Sequence, residues 1–364
     1  MYSLDRLDYE ILNKIQENPF NIAKVAKELK TPYHKVRRRL NRLLREERIA
    51  RVYAEPVYPK LGLNTVVFIL NRRLENDTDT TLLYSKSKMR LLGGKTLLMY
   101  NIPRKFIRDL KRFIKILYGE DSIEHYGVYD KILIGRKDFK ILDEDPDEVD
   151  IYRLDISDVN LYYQDHAEPL DRTDLFIIKK LQKDATTSIT SIARSLGISK
   201  QLAEYHLKKH VMNRGLVEFN AETFADLKKQ PYLVLLVEFN DYLSLVGTMM
   251  HVVKIPFTSS ILLSNNRMIM YIGTPINLTL RLMRLLDDLV EKGVITKYEY
   301  YIQDPSYIPR KYTISCTVYR NDAWRRDRVL KALRRGEVRL MEELNTLLEH
   351  HRYDDLDRSQ NGII

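Results

Sequence analysis

Eight basic residues crowd the stretch from Tyr33 to Arg51: Lys35, Arg37, Arg38, Arg39, Arg42, Arg45, Arg48 and Arg51. Only Glu46 and Glu47 oppose them, so eight minus two leaves +6 across nineteen residues. Lys35, Arg38, Arg42 and Arg45 follow one another at steps of three, four and three, which aligns them on one stripe of a helix. Val36, Leu40 and Leu43 fall on the opposite side. Cations this dense repel one another unless acids are interleaved or a polyanion is nearby. The chemistry that suits them is phosphate neutralisation, against the blander alternative of an ordinary solvated face. Tyr33, His34, Lys35, Arg37, Arg38 and Asn41, near the start of the helix, are expected to reach base edges. Arg39, Arg42 and Arg45 are expected to meet phosphate.

Other chemistry-bearing groups are weaker. Gly93-Gly94-Lys95-Thr96 imitates the end of a phosphate-binding loop, but the full motif needs glycine where Met89 stands and a helix where a strand follows. His206 and His210 stand four apart and could offer a metal pair, yet no third ligand lies near them in sequence. His350-His351 reads as a solvated pair. One cysteine, Cys316, excludes an intrachain disulfide and a thiolate metal cluster. No serine, histidine and acid arrangement stands out. The expectation is a non-enzyme with no cofactor and no resident metal.

The elements that would position the basic stripe follow from periodicity. Leu7, Ile11, Leu12 and Ile15 give a first helix with Asp5 as N-cap, and Ile22, Val25, Ala26 and Leu29 a second. Val36, Leu40 and Leu43 give a third. Three short helices with a brief turn before the third describe a helix-turn-helix, whose third helix enters the major groove. The pattern returns. Leu4-Asp5-Arg6-Leu7-Asp8 reappears as Leu170-Asp171-Arg172-Thr173-Asp174 at an offset of 166, and one inserted residue then shifts Val25-Ala26, Leu40 and Ile49 onto Ile192-Ala193, Leu207 and Leu216. The second third-helix begins at a better cap, Ser199. It carries Lys200, Lys208, Lys209 and Arg214 against Glu204 and Glu218, a net of +2. Ser199, Lys200, Gln201, Tyr205 and Lys208 are its expected DNA contacts.

After each helix-turn-helix the sequence reads as β-α-β-β-α-β, a ferredoxin-like sandwich. In the first copy the segments are Thr65–Asn71, a short helix, a turn at Gly93-Gly94, Leu97–Asn101, Arg104–Tyr118 and Ser122–Ile134. In the second they are Tyr232–Asn240, a helix from Tyr242, Thr258–Ser264, Arg267–Gly273, Ile276–Lys292 and Ile295–Ile302. The expected fold is therefore α+β. Winged helix-turn-helix units at 1–60 and 169–226 precede ferredoxin-like units at 61–137 and 227–306. An acidic linker occupies 138–168, with its densest run, 142–150, too charged to be buried. Residues 307–364 form an extension, with a strand at Tyr312–Tyr319 and an amphipathic helix from Asn321 to His351 that Gly336 breaks. Packing over the repeated core is the ordinary reading of that extension.

Composition agrees. A chain of 364 residues with 44% apolar content suits several domains. A charge of +10 and a pI near 9.3 favour an anionic partner. No stretch reaches the roughly 20 apolar residues a membrane helix needs, and the start lacks the features of a signal peptide. The cytoplasm, with nucleoid association, is the expected location.

The order of parts, and Leu29-Lys30-Thr31-Pro32-Tyr33-His34-Lys35-Val36-Arg37-Arg38-Arg39-Leu40-Asn41-Arg42-Leu43, resemble Lrp/AsnC-type (feast/famine) regulators over roughly residues 1–135 and 168–303. The resemblance implies a transcription regulator on double-stranded DNA, here with two helix-turn-helix units as an internal pseudo-dimer. It leaves a homodimer and a small-molecule effector open as further partners. There are departures. Lys30 stands at the family's turn glycine and Glu47 at the glycine before the wing. The family's glycine–x–x–aspartate turn becomes Gly94-Lys95-Thr96-Leu97 and Asn265-Asn266-Arg267-Met268, so an amino-acid ligand is not carried over. An architectural DNA binder without sequence preference is the alternative. A siroheme-decarboxylase-like enzyme, which would resemble the same family, is the remote one.

Overall fold

The computed structural model describes residues 4–74, 82–142, 150–164, 167–223, 232–273 and 276–335. Its first bundle is α1 (Arg6–Ile15), α2 (Ile22–Glu28), α3 (Tyr33–Asn41) and β1 (Ala50–Pro56). The elements β2 (Asn64–Leu70), β3 (Ser85–Leu91), β4 (Lys95–Ile102), α4 (Ile107–Tyr118), β5 (Ile123–Tyr129), β6 (Lys131–Ile134) and β7 (Asn160–Tyr163) follow. A second bundle is α5 (Arg172–Lys183), α6 (Ile189–Leu196), α7 (Lys200–Tyr205) and β8 (Val217–Thr223). Then come β9 (Leu233–Phe239), α8 (Tyr242–Val252), β10 (Ile261–Ser264), β11 (Arg267–Ile272), α9 (Ile276–Glu291) and β12 (Ile295–Ile302). The chain continues through β13 (Arg310–Lys311), β14 (Tyr319–Arg320), β15 (Ala323–Trp324) and α10 (Arg328–Arg335).

The two bundles obey one local code. Asp5 and Asp171 each cap a first helix inside a reciprocal capping box with Asp8 and Asp174. Asn21 and Ser188, 167 residues apart, cap the second helices. The turn before each third helix needs a left-handed residue: Lys30 at φ 48° in one bundle, Gly197 at φ 68° in the other. Lysine there costs roughly 1–2 kcal/mol that glycine avoids. The turn into each strand repeats the demand at Arg48 (φ 52°) and Gly215 (φ 59°), so the glycine-like position is Arg48 and not Glu47. Both third helices run on into a widened turn, Arg42–Glu46 and His206–Met212.

β1 and β8 pair with each other, antiparallel, from Ala50↔Thr223 to Pro56↔Val217. The strand expected to open a wing on each bundle thus joins its counterpart in a ribbon. Alternation gives the ribbon two faces. Ala50, Val52, Ala54, Phe219 and Ala221 are buried in the large core shared with the helices, while Arg51, Tyr53, Glu55, Glu218 and Glu222 point the other way.

Two larger sheets flank this ribbon. Their central strand orders, β3-β4-β2-β5 and β10-β11-β9-β12, are the same and match a ferredoxin-like sheet. The expected short helix of the first copy lies partly at 75–81, outside the described residues. Three sequence expectations need correction. Residues 122–134 are not one strand: β5 stays in the first sheet, while β6 crosses to pair with β10 of the second. In return, β13 pairs with β3. The supposed linker 138–168 contributes β7, paired with β6, and Asp158, which binds Arg136 (2.9 Å) and Lys254; residues 143–149 of its acidic run are outside the described residues. The expected strand Tyr312–Tyr319 is absent over 312–318. That segment leads into the β14–β15 hairpin, whose turn residues Asn321 and Asp322 are both left-handed, so the helix starts at Arg328. Beyond 335 the expected helix is outside the described residues.

The extension touches both parts of the chain, and the Tyr319 hydroxyl donates to the Leu170 carbonyl (3.0 Å). The Trp324 indole donates to the Leu61 carbonyl (2.7 Å) and its ring stands 6.1 Å from that of Tyr84. Among the described residues no helix is long and apolar enough to cross a membrane.

Candidate nucleic-acid interface

α3 forms because Val36 and Leu40 recur at helical spacing and sink fully into the bundle, followed by Leu43 in the widened turn. The opposite side is left to water. Tyr33 (47% exposed), His34, Lys35, Arg37, Arg38 and Asn41 all lie there. Arg37 and Arg38 make no salt bridge among the described residues, so these two guanidiniums are presented outward. The Asn41 amide is held by Glu46 (2.6 Å).

The three arginines expected on phosphate are engaged elsewhere. Arg39 Nη1 reaches Asp5 Oδ2 (2.6 Å) and Asp8 Oδ1 (2.9 Å), and Arg42 Nη2 reaches Asp8 Oδ2 (2.6 Å). Asp8 is fully buried at the start of α1, and a buried carboxylate must be paired. Arg45 bonds Asp184 (2.5 Å) and Thr186 (3.1 Å) of the second bundle. The stripe seen in the sequence therefore divides. Lys35 and Arg38 face outward, while Arg42 ties the third helix to α1 and Arg45 ties the first bundle to the second. Burial acts to raise the Asp5 carboxyl, but hydrogen bonds from Arg39 and the Asp8 amide outweigh it and leave it below the usual range.

In the second bundle the Ser199 hydroxyl accepts from the Leu202 amide (3.1 Å) and starts α7, whose Lys200 and Gln201 are exposed. Tyr205 (53%) and Leu202 (45%) also stand in solvent. Lys208 is bonded to Glu204 one turn earlier (2.7 Å). Sequence reasoning missed Leu202, and it missed the buried acids Asp8 and Asp174. The signal for those acids was present in the repeated Asp-x-x-Asp pair, where the second acid recurs as faithfully as the cap.

A cavity of about 150 Å³ lies behind the ribbon, between it and the two sheets. Arg51, Lys86, Lys137 and Lys311 line it against Glu55 and Glu222, with Tyr53, Tyr58, Tyr232 and Tyr271. Arg51 pairs with Glu222 (2.7 Å) and Lys86 with Glu55 (3.3 Å). Lys137 donates to the Val253 carbonyl (2.6 Å) and to Thr258 Oγ1 (3.0 Å). Burial, then the nearby Lys254 ammonium, lowers its amine to about 7 from an ordinary 10.5. Above that value the folded chain holds fewer protons than the unfolded chain, so this group's contribution to stability grows as pH rises towards 10.5. Lys137→Met removes the effect. The stability of wild type minus that of K137M should climb between about pH 6 and pH 9 in denaturant titrations, and a flat difference would contradict a depressed amine.

Residues 170–209 match the family model described as winged helix-turn-helix DNA-binding. No curated protein matches the chain. Among solved structures it is similar to the siroheme decarboxylase NirDL, at 13% identity over 81% of this chain and 89% of that one (TM-score 0.49). It is also similar to AsnC of E. coli, at 17% identity over 35% of this chain and 91% of that one (TM-score 0.27). A transcriptional regulatory protein of the AsnC family from Pyrococcus furiosus is 18% identical over 35% of this chain and 88% of its own (TM-score 0.27).

Proposed function

We propose that the chain is a sequence-specific, double-stranded-DNA-binding transcription regulator whose two helix-turn-helix units act as an internal pseudo-dimer. The observation that carries this reading is the outward face of α3, where Tyr33, His34, Lys35, Arg37 and Arg38 stand exposed on a helix anchored from behind. The family-model match to the second unit supports the same reading for α7. Arg37 and Arg38 suit the bidentate geometry that guanine edges accept. Lys35, Lys200 and Lys208 suit phosphate.

The cavity behind the ribbon supports a small organic anion as effector, since Lys311 and the Lys137 amine line it beside the Arg51–Glu222 and Lys86–Glu55 pairs. Its ribbon wall touches both bundles on the opposite face, so an occupant could alter how the two heads are held.

A salt titration on duplex DNA tests the proposal. Neutralising about three phosphates with Lys35, Lys200 and Lys208 gives a slope of roughly −3 for log affinity against log salt. A nearly flat response would sink it.

A further inference from the structure

In the first bundle, two carboxylates at the start of α1 meet two guanidiniums from the end of the third helix. The second bundle keeps the carboxylates, as Asp171 and Asp174, and replaces the guanidiniums. His206 occupies the position equivalent to Arg39, and His210 joins it from the next turn. His206 Nδ1 is 2.8 Å from Asp174 Oδ1, and His210 Nδ1 is 3.2 Å and 3.3 Å from the two Asp174 oxygens. His206 Nδ1 also stands 3.7 Å from Asp171 Oδ2. One ligating atom from each of the four residues falls within 4.8 Å of all the others.

We propose that these four side chains form a binding site for one divalent transition-metal ion of the zinc class. The capping box determines which oxygens are free. Asp171 Oδ1 and Asp174 Oδ2 accept backbone amides, leaving Asp171 Oδ2 and Asp174 Oδ1 turned towards the histidines. Two imidazole nitrogens and two carboxylate oxygens make a four-donor set of the kind zinc accepts, with bonds near 2.0–2.2 Å. Charge balance points the same way. The first bundle offsets two carboxylates with two guanidiniums, and one dication would do the same for Asp171 and Asp174 beside neutral imidazoles. Asp174 is fully buried and His206 nearly so, while Asp171 and His210 open the cluster to solvent and give an ion a way in. An N/O donor set without thiolate ranks divalent ions in the order cobalt, nickel and copper, with zinc below copper. The bound ion would pin the start of α5 to the end of α7, fixing the helix that carries Gln201 and Tyr205. The proposal does not depend on the DNA reading, because it is tested without DNA.

The experiment uses untagged full-length protein stripped of metal and titrated with zinc or cobalt alone. Wild type should take up one ion per chain, show the visible absorption of cobalt in a low-coordinate N/O site, and melt at higher temperature with zinc, reversibly with chelator. His210→Asn removes an accessible ligand and should weaken uptake at least tenfold. His206→Arg restores the guanidinium of the first bundle. It should abolish uptake while melting without metal at or above the temperature of metal-free wild type. Three outcomes overturn the site: no stoichiometric uptake, uptake retained in both variants, or a gain in stability that appears on acidification and ignores zinc. The last would assign charge balance to protonated histidines.

Discussion

Replacing Arg39 and Arg42 together by methionine is expected to destabilise the first bundle by about 3–5 kcal/mol. The reason is the carboxylate left behind. Asp8 is fully buried, and its side-chain cations are these two guanidiniums at 2.9 Å and 2.6 Å. Removing both strands a charge where water cannot reach it, which costs far more than the pairs contribute as pairs. Adding Asp8→Asn to the double variant removes that charge and should recover much of the loss, because asparagine keeps an acceptor for the Asp5 amide. Urea unfolding of wild type, the double variant and the triple variant separates the two roles of these arginines. If they served phosphate instead, the double variant would keep its unfolding midpoint and lose only DNA affinity.

The second large effect concerns the spacing of DNA half-sites. The seven-residue β1–β8 ladder and the Arg45–Asp184 bridge join the two helix-turn-helix units to each other. Two heads held this way can engage one duplex together only when their half-sites face the same side, a condition that repeats every 10–10.5 bp or so. Inserting about 5 bp between half-sites turns one of them away, and the avidity lost with one head is on the order of a hundredfold or more. Inserting a full turn should restore phase but exceed the reach of a stiff connection. Gel shifts on a spacer series measure this directly. Affinity that is indifferent to spacing would mean either independent heads or a single reading head.

Much of this architecture was legible from residue spacing. The α1 to α3 and α5 to α7 patterns were found because Ile11, Val25, Val36 and Leu40, and their counterparts, keep helical period. The exchanged strands were not, because Lys131–Ile134 follows Ile123–Tyr129 after a single residue and a local pattern carries no information about which sheet receives it. The candidate interface was half legible. Exposure of Arg37 and Arg38 follows from their place opposite Val36 and Leu40. The diversion of Arg39, Arg42 and Arg45 depends on Asp8 and Asp184, which lie 31 to 139 residues away. Periodicity on one helix cannot reveal a partner on another. The histidine cluster was obscured for the same reason, since its third and fourth ligands arrive from 32 or more residues upstream.

The reciprocal loan of β6 and β13 has a consequence for how such a chain can evolve. A regulator assembled from identical subunits must present the same head twice, and every substitution on one is imposed on the other. Here the halves are covalently joined and each completes the other's edge. Neither can be shed, yet each can change alone, and the two heads carry different net charges, +6 and +2. Under the proposed function, a DNA site for this chain need not be palindromic.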